Sequence, residues 1–502
     1  MKTKTELKRG RMTKVVIATV VSTFLGVVLH AQTVSNIKVN TSAYSNVSLD
    51  GGAKQISVLN DTVYAVWAGT PTEGNSSIYF AKSINEGSYF IAETFVYQGN
   101  GSLYHDMFSI SVSDENGDIH IAWTTMTNTG EANVWYTKSV DGGNTFQTPT
   151  EITTNNTSVY PCIGTHGNNV YIFYADASSY PKADYYFVSS TNNGDAFATP
   201  VKINDATICD GTIPEFEGLA TITIAPNGNI YLAWVDCRHA DGNGDIYFAK
   251  STDGGDNFSI NIMVNDINEQ GADSVQFHPA IAVDGSDNIY VSFADLRTGN
   301  DDRKAYLAKS TDGGASFATE TLLANQCNYH DIAVNSTGKL YAVINAFIAP
   351  DWGVWLLESN NDGSSFTNTI TLKSPVYSDD VSVVVSDEEE IYALWKDNGA
   401  EGDDNNDIYF AKITDLATNI VETNDNNEFI VYPNPASGEV FVKLPENRNS
   451  AEMTICNMQG QIIYRKTIVN SITNIDMEIP SGIYFVNVYW NDKIQTSKLV
   501  KK

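Results

Sequence analysis

Histidine, carboxylate and tyrosine side chains recur just before predicted strands, and they are the residues best suited to chemistry. Imidazole and carboxylate groups bind divalent metal ions and also transfer protons near neutral pH. Three interpretations stay open: a divalent cation held by histidines and aspartates, acid–base chemistry by paired acids with a tyrosine, and solvated side chains where strands begin. The candidates are Tyr104, His105, Asp106, Glu217, His278, His330, Asp331, Tyr377 and Asp379.

Two other segments place an aspartate two residues before an arginine, at matching positions of neighbouring repeats. Asp236 with Arg238, and Asp295 with Arg297, could bind an anionic group or pair with each other. Ion pairing is the favoured interpretation. The sequence assigns no cofactor, and a divalent cation at the histidine and aspartate candidates stays open.

The five cysteines are widely spaced and form neither a CxxC pair nor a zinc-type pattern. They therefore predict no disulfide framework. Cys209 and Cys237 both fall in loops on the same predicted face, so a disulfide between these two is open.

A repeat of about 55 residues positions these candidates. Its copies contain an apolar segment such as Asn229–Trp234, a polar loop, and a segment such as Asp245–Phe258. Each unit alternates apolar and polar residues in short strands separated by Gly, Asn and Asp, as the four-stranded blades of a propeller do. Seven copies predict a seven-bladed β-propeller. The equivalent residues, 49 to 61 positions apart, are Ser83, Ser139, Ser190, Ser251, Ser310, Ser359 and Ile413.

Three segments carry the motif S-x-D-x-G-x-x-aromatic: 139–146, 251–258 and 310–317. Asp141, Asp253 and Asp312 can accept backbone N–H bonds in the turn, the glycine permits a positive φ, and the aromatic anchors the turn. The chain thus resembles the Asp-box (BNR-repeat) propellers, which include sialidases, some glucan hydrolases and non-enzymatic receptors. The resemblance implies that these turns are structural and lie away from the family's active-site face.

The same resemblance implies how the known activity should look. Sialidases of this group use three arginines from separate blades to clamp the substrate carboxylate, with a Tyr/Glu nucleophile pair and an acid–base Asp. Residues 33–420 contain only Arg238, Arg297 and Arg303, and the last two share one loop. This composition argues against a true sialidase.

The last repeat stops near Asp415, before its fourth strand. Near the N-terminus, Ile37–Asn40 copies Val201–Asn204, which is a predicted fourth strand. We therefore predict that the mature N-terminus supplies the outer strand of the last blade and closes the ring.

The two ends of the chain are predicted to be export signals. Residues 1–32 combine a basic segment with an apolar run, as a secretory signal peptide does. After a linker (421–428), residues 429–502 resemble the type A sorting domain of type IX secretion cargo, which implies a small β-sandwich, the type IX machinery as partner, and a secreted or surface-attached protein. The motifs that carry this resemblance are Val431–Gly438, Met458–Gln461, Ser481–Val488 and Lys498–Lys502.

The formal net charge is −30, and about −35 once residues 1–32 are removed. Such a chain repels nucleic acid and anionic membranes, and no second apolar run is long enough to span a bilayer. We predict an all-β, sialidase-like propeller (33–420) that binds a glycan or protein at or outside the cell surface. A divergent glycan-cleaving hydrolase or lyase, and a structural or adhesive surface protein, are the alternatives.

Overall fold

The computed structural model describes residues 35–501 except 43, 50–53, 72–74, 100–102, 180–181, 207–219, 239–243, 267–274, 298–302, 367, 377, 379, 399–406, 414–428, 433–435, 437–439, 445–450, 458–461, 469–471, 476–479 and 491–492. The predicted signal peptide lies outside the described residues. The chain divides into two compact units, 1–415 and 416–502. In the described residues all regular elements are β-strands, and no helix could cross a membrane.

The first unit contains seven antiparallel sheets among its described residues, and most consist of four consecutive strands. The first three sheets contain β2 (Tyr44–Ser48), β3 (Ile56–Leu59), β4 (Thr62–Pro71), β5 (Ser77–Ser83) and β6 (Thr94–Gln98); β7 (Leu103–Val112), β8 (Ile119–Thr127), β9 (Ala132–Ser139) and β10 (Thr150–Glu151); and β11 (Ser158–His166), β12 (Asn169–Ser179), β13 (Lys182–Ser190) and β14 (Val201–Lys202).

The next three sheets repeat the order. They contain β15 (Ala220–Ile224), β16 (Ile230–Asp236), β17 (Asp245–Ser251) and β18 (Ile262–Met263); β19 (Gln276–Val283), β20 (Ile289–Asp295), β21 (Lys304–Ser310) and β22 (Thr321–Ala324); and β23 (Cys327–Val334), β24 (Leu340–Ile348), β25 (Asp351–Ser359) and β26 (Asn368–Lys373). The seventh contains β27 (Val381–Val385), β28 (Ile391–Asp397), β29 (Asp407–Ile413) and the N-terminal β1 (Ile37–Lys38).

The apolar repeat positions form the core between the sheets. Four second strands place a tryptophan at the same position, and Trp67, Trp123, Trp234 and Trp395 are fully buried. Three of these indole rings lie 5.9–6.4 Å from the tyrosine opposite on the third strand. Burying such large rings supplies much of the hydrophobic stabilisation in an all-β domain. The first strand of each sheet packs beside that of the next, and β27 packs beside β3.

The N-terminal strand pairs as an internal fourth strand does. Ile37 and Lys38 lie opposite Phe410 and Tyr409, as Val201 and Lys202 lie opposite Phe187 and Tyr186. The ion pairs also correspond, because Lys38 Nζ lies 2.7 Å from an oxygen of Asp407 and Lys202 Nζ lies 2.8 Å from one of Asp184. The predicted pairing of the N-terminus with the last sheet is present.

Asn40 offers a test of this strand. Its Oδ1 accepts a bond from the Ile408 N–H (2.7 Å) and its Nδ2 donates to Asp407 (3.0 Å), as Asn204 does with Tyr185 and Asp184. We expect Asn40→Ala to lower the free energy of unfolding by about 1–3 kcal/mol, because it leaves a buried N–H unsatisfied. Urea unfolding should give a similar loss for Asn204→Ala. A neutral Asn40→Ala beside a destabilising Asn204→Ala would show that the N-terminal strand is dispensable.

The second unit contains two antiparallel sheets that share one hydrophobic core, including Val442 and Val486. Polar and apolar positions alternate along their strands, as in a small sandwich. One sheet contains β30 (Ile430–Tyr432), β31 (Val440–Lys443) and β34 (Ile472–Ile475). The other contains β32 (Ala451–Cys456), β33 (Ile462–Ile468), β35 (Gly482–Trp490) and β36 (Lys493–Lys501).

Candidate functional site

The two ends of the sheets in the first unit differ in how their strands are connected. At one end, here the turn end, first strands join second strands and third strands join fourth strands. The third-to-fourth connections contain ten residues in five of six cases, at 84–93, 140–149, 191–200, 252–261 and 311–320. At the opposite end, here the loop end, connections range from two residues (325–326) to seventeen (203–219). Variable loops on a repeated scaffold usually carry function, so the loop end is the candidate site.

The S-x-D-x-G-x-x-aromatic turns lie at the turn end and are held by their own side chains. Asp141 Oδ1 accepts bonds from the Thr145 N–H (2.9 Å) and the Ser139 hydroxyl (2.8 Å), and the Ser139 hydroxyl accepts one from the Gly143 N–H (2.8 Å). A bond from the Thr145 hydroxyl (2.6 Å), together with these two bonds to Oδ1, lowers the pKa of Asp141 to about 2, and equivalent bonds from Asn257 and Ser251 do the same for Asp253. The pKa of Asp312 is also lowered by its bonds within the turn. All three carboxylates are therefore ionised and occupied by their own turns.

Each of these turns also contacts the preceding sheet. Phe146 packs edge-on against Phe80 of the preceding sheet, with ring centroids 5.3 Å apart, and Phe258 packs against Phe187 at 5.0 Å. Lys82 and Lys250 donate to backbone carbonyls of the next turn. The contact recurs between the first and seventh sheets, where Phe90 packs against Phe410 at 5.1 Å.

At the loop end, Arg238 is bound by carboxylates. Its guanidinium lies 2.6 Å from an oxygen of Asp236 and 2.5 Å from one of Asp205, and it lies over the ring of Tyr247 at 4.1 Å. Asp236 is fully buried and also accepts a bond from the Trp234 indole (3.1 Å). Ion pairing, the favoured interpretation, is what the structure shows here.

Arg297 repeats this arrangement in the next sheet. It donates from Nε to Asp295 (2.7 Å) and lies 2.7 Å from Glu320, while its guanidinium covers the ring of Tyr306 at 4.5 Å. Burial disfavours the charged form of the guanidinium and by itself would lower the pKa of Arg297. The bonds and charges of Asp295 and Glu320 outweigh burial, so the pKa of Arg297 is raised. Neither arginine presents its charge to a ligand in this arrangement.

Asp331, another candidate, is also part of an ion pair, with Lys54. Lys54 Nζ lies 2.6 and 2.7 Å from the two Asp331 oxygens and also donates to the carbonyl oxygen of Val383. Asp331 further accepts bonds from the N–H groups of Ile332 and Val383, both 2.8 Å. The pair thus joins the first, sixth and seventh sheets. Lys54 was missed by the sequence reasoning, because no local pattern links two residues 277 positions apart.

The three candidate histidines are buried, and they do not converge on one point. His278 and His330 lie in β19 and β23, in neighbouring sheets, and the His278 ring packs against Tyr329. His105 lies in β7, against the ring of Tyr97, with Nδ1 3.1 Å from the Thr125 hydroxyl. Burial lowers the pKa of His105 and His330 to about 4 and that of His278 to about 3. All three are neutral at neutral pH.

Burial of His330 predicts a pH dependence of stability. Its pKa is about 4 in the folded protein and about 6.5 in an unfolded chain, so only the unfolded state binds this proton between these values. The free energy of unfolding therefore falls as pH drops from 6.5 towards 4. We expect His330→Gln to reduce this slope by up to about 1.4 kcal/mol per pH unit, measured by urea unfolding between pH 5 and 6. His120→Gln, at the turn end, should act similarly because burial lowers the pKa of His120 to about 4. An unchanged slope in His330→Gln would contradict the buried neutral state.

The metal interpretation finds no support in the part of the chain that is described. There, no group of three or more His, Cys, Asp or Glu side chains could hold a metal ion. Of the remaining candidates, Glu217, Tyr377 and Asp379 lie outside the described residues, as do the side chains of Tyr104 and Asp106. Cys237 is disulfide-bonded, and its expected partner Cys209 lies outside the described residues. Cys162, Cys327 and Cys456 form no disulfide.

Comparison with protein families agrees with this architecture. Residues 62–322 match the model described as BNR repeat-containing family member, and residues 430–502 match the secretion system C-terminal sorting domain. The first match covers more than half of the chain, so this protein belongs to the BNR repeat-containing family. Both resemblances found in the sequence are confirmed. The sorting domain indicates export by type IX secretion to the cell surface or outside.

One curated relative is Beta-agarase A of Zobellia galactanivorans, 28% identical over 90 residues. The match covers 16% of this chain and 16% of that protein, so the chain spans about a sixth of the length of this relative.

Two solved polysaccharide lyases share the fold. An ulvan lyase of polysaccharide lyase family PL25, bound to -[GlcA(1-4)Rha3S]-, gives a TM-score of 0.54 at 11% identity, over 76% of this chain and 98% of that chain. The polysaccharide lyase Uly1 gives 0.52 at 12% identity over the same shares. The NanB sialidase from Streptococcus pneumoniae gives 0.43 at 10% identity, over 74% and 70%. At these identities the likeness concerns the fold alone.

Proposed function

We propose that this protein is a secreted β-propeller that binds a glycan outside the cell without cleaving it. Its seven sheets are the blades of one ring, closed by the N-terminal strand. The contacts between the seventh and first sheets support the ring, since Phe410 packs against Phe90 as Phe80 packs against Phe146, and Lys412 pairs with Glu86 as Lys138 pairs with Asp195. The difference between the two ends carries the proposal: repeated turns at one end, and loops of two to seventeen residues at the other.

The state of the carboxylates favours binding over hydrolysis. A glycoside hydrolase generally needs two carboxyl groups facing the scissile bond, one of them with a raised pKa. The described carboxylates near the loop end are engaged: Asp236 and Asp295 by arginines, Asp331 by Lys54, and Asp397 by Lys373 at 3.7 Å. Burial raises the pKa of Glu320, but this carboxylate is paired with Arg297 at 2.7 Å. Asp176 accepts a bond from the Thr157 hydroxyl at 2.6 Å. A glycan as ligand is supported by membership of the BNR repeat family and by the likeness in fold to polysaccharide lyases.

The experiment is a screen of the purified mature protein, from residue 33, against polysaccharides that include sialylated glycans. Binding and product release are recorded together, with and without EDTA. We expect binding without new reducing or unsaturated ends, and no effect of EDTA. New ends would establish a glycan-cleaving enzyme instead. The absence of binding to every polysaccharide would overturn the proposal in favour of a protein partner or a structural role.

A further inference from the structure

The loop end contains few cations, and this bears on the kind of ligand it can take. The connections from second to third strands, and from each sheet to the next, contain Arg238, Arg297 and Arg303 and no other lysine or arginine. The sequence of the same connections contains many acidic residues, among them Asp210, Glu215, Glu217, Asp241, Glu269, Asp273, Asp301, Asp302, Glu401, Asp403 and Asp404. A region with this charge lowers the local concentration of anions.

The arginines that are present are already engaged. Arg238 and Arg297 each contact two carboxylates and cover a tyrosine ring, and their side chains are 15% and 8% exposed. Arg303 lies over the ring of Phe277 at 4.8 Å. To contact a sulfate or uronate, Arg238 or Arg297 would have to leave an aspartate that is itself fully buried, which leaves that charge unpaired.

Four lysines near this face have carboxylate partners as well. Lys38 lies 2.7 Å from Asp407, Lys202 lies 2.8 Å from Asp184, and Lys373 lies 3.7 Å from Asp397. Lys54 is held between both oxygens of Asp331. Proteins that bind polyanions present unpaired Lys and Arg side chains, so their affinity depends steeply on salt. Neither Arg238 and Arg297 nor these four lysines are arranged in this way.

We infer that the ligand is an uncharged polysaccharide and that polyanionic glycans are rejected. The inference rests on the proposed glycan-binding function and specifies its ligand class. It also separates this protein from the ulvan lyase of the same fold, whose bound sugar carries a carboxylate and a sulfate. Recognition then depends on hydrogen bonds and on contact with the apolar faces of sugar rings, and both are weakly affected by salt.

The test compares one polymer in charged and uncharged forms. We measure binding of the mature protein to native ulvan and to the same polymer after desulfation and carboxyl reduction. Agarose, laminarin and xylan are measured alongside. Affinity electrophoresis at about 0.15 M salt is run with EDTA and with added calcium. We expect at least one uncharged polymer to bind at least ~10-fold more tightly than native ulvan, and its dissociation constant to change less than ~2-fold on raising the salt to about 0.5 M.

The outcomes separate the two proposals. If native ulvan binds more tightly than every uncharged polymer, with EDTA or with calcium, the inference is overturned and the glycan-binding function still holds. Failure of every polymer to bind overturns the glycan-binding function, and the inference with it.

A pair of variants tests the charge mechanism. Asp205→Asn removes one carboxylate from Arg238, whereas Asp195→Asn makes the same charge change at the turn end, where Asp195 pairs with Lys138 at 2.6 Å. We expect binding of native ulvan to increase severalfold in Asp205→Asn and not in Asp195→Asn, with the uncharged polymers unaffected. Equal behaviour of the two variants would overturn the role given to the occupied arginine.

Discussion

Replacing Asp331 by alanine is expected to lower the free energy of unfolding by about 3–5 kcal/mol, a large effect for one residue. The side chain is 9% exposed and accepts bonds from Lys54 and from the N–H groups of Ile332 and Val383. Its loss leaves a lysine charge and two backbone donors without their partner. Urea unfolding of the mature protein at pH 7 measures the effect.

The matched control is an exposed ion pair of the same kind. Lys202→Ala removes the partner of Asp184 and leaves the bond from Asn204 to Asp184 in place, and the Lys202 side chain is 42% exposed. An exposed pair contributes about 0–1 kcal/mol, so this variant should unfold close to the parent protein. The double change Lys54→Met with Asp331→Leu should recover part of the loss, because it removes both charges together and leaves neither without its partner. If Asp331→Ala were no more destabilising than Lys202→Ala, the Lys54–Asp331 pair would not hold the sheets together.

The second large effect is expected at Gly255, in the turn 251–258. Gly255 has a φ of +95° and Gly254 a φ of +76°, so alanine is strained at both positions. They differ in their surroundings, because a Cβ at Gly255 would overlap the Phe187 ring, whereas nothing lies within 4 Å at Gly254. We expect Gly255→Ala to lower the free energy of unfolding by about 2–4 kcal/mol and Gly254→Ala by about 1 kcal/mol.

The difference between these variants isolates the contact between sheets. Both carry the backbone strain, and only Gly255→Ala displaces Phe187. Thermal and urea unfolding should rank them in this order without altering polysaccharide binding. Equal losses would mean that the turn contributes only its own conformation, and weakened binding in a folded Gly255→Ala would place function at the turn end.

The repeated parts of the fold were predictable because they depend on local chemistry. The S-x-D-x-G-x-x-aromatic turns form from residues within eight positions, and Asp141 accepts the bonds expected of it. The N-terminal strand was recognisable because Ile37–Asn40 copies Val201–Asn204, including the asparagine that bonds the third strand. In these cases the same residues make the same contacts wherever they recur.

The loop end was less predictable because register there depends on irregular strands. The pairing of β7 with β8 shifts between Asp106 and Phe108, and that of β19 with β20 shifts between Phe277 and Ala280. An extra residue in a strand turns the following side chains to the other face, so similar His positions in the sequence need not meet. His278 and His330 lie close enough to interact electrostatically, whereas His105 lies in another sheet against Tyr97. The ion pair between Lys54 and Asp331 depends on how sheets that are far apart in the sequence pack against each other.

Hydrogen exchange of the mature protein, with and without the polysaccharide that it binds most tightly, tests most directly that recognition occurs at the loop end. We predict that the ligand slows exchange at the strand ends around 236–245 and 295–304, and leaves the turns 139–146, 251–258 and 310–317 unchanged. Protection confined to those turns, or no polysaccharide that binds at all, would contradict the assignment of function to the loop end.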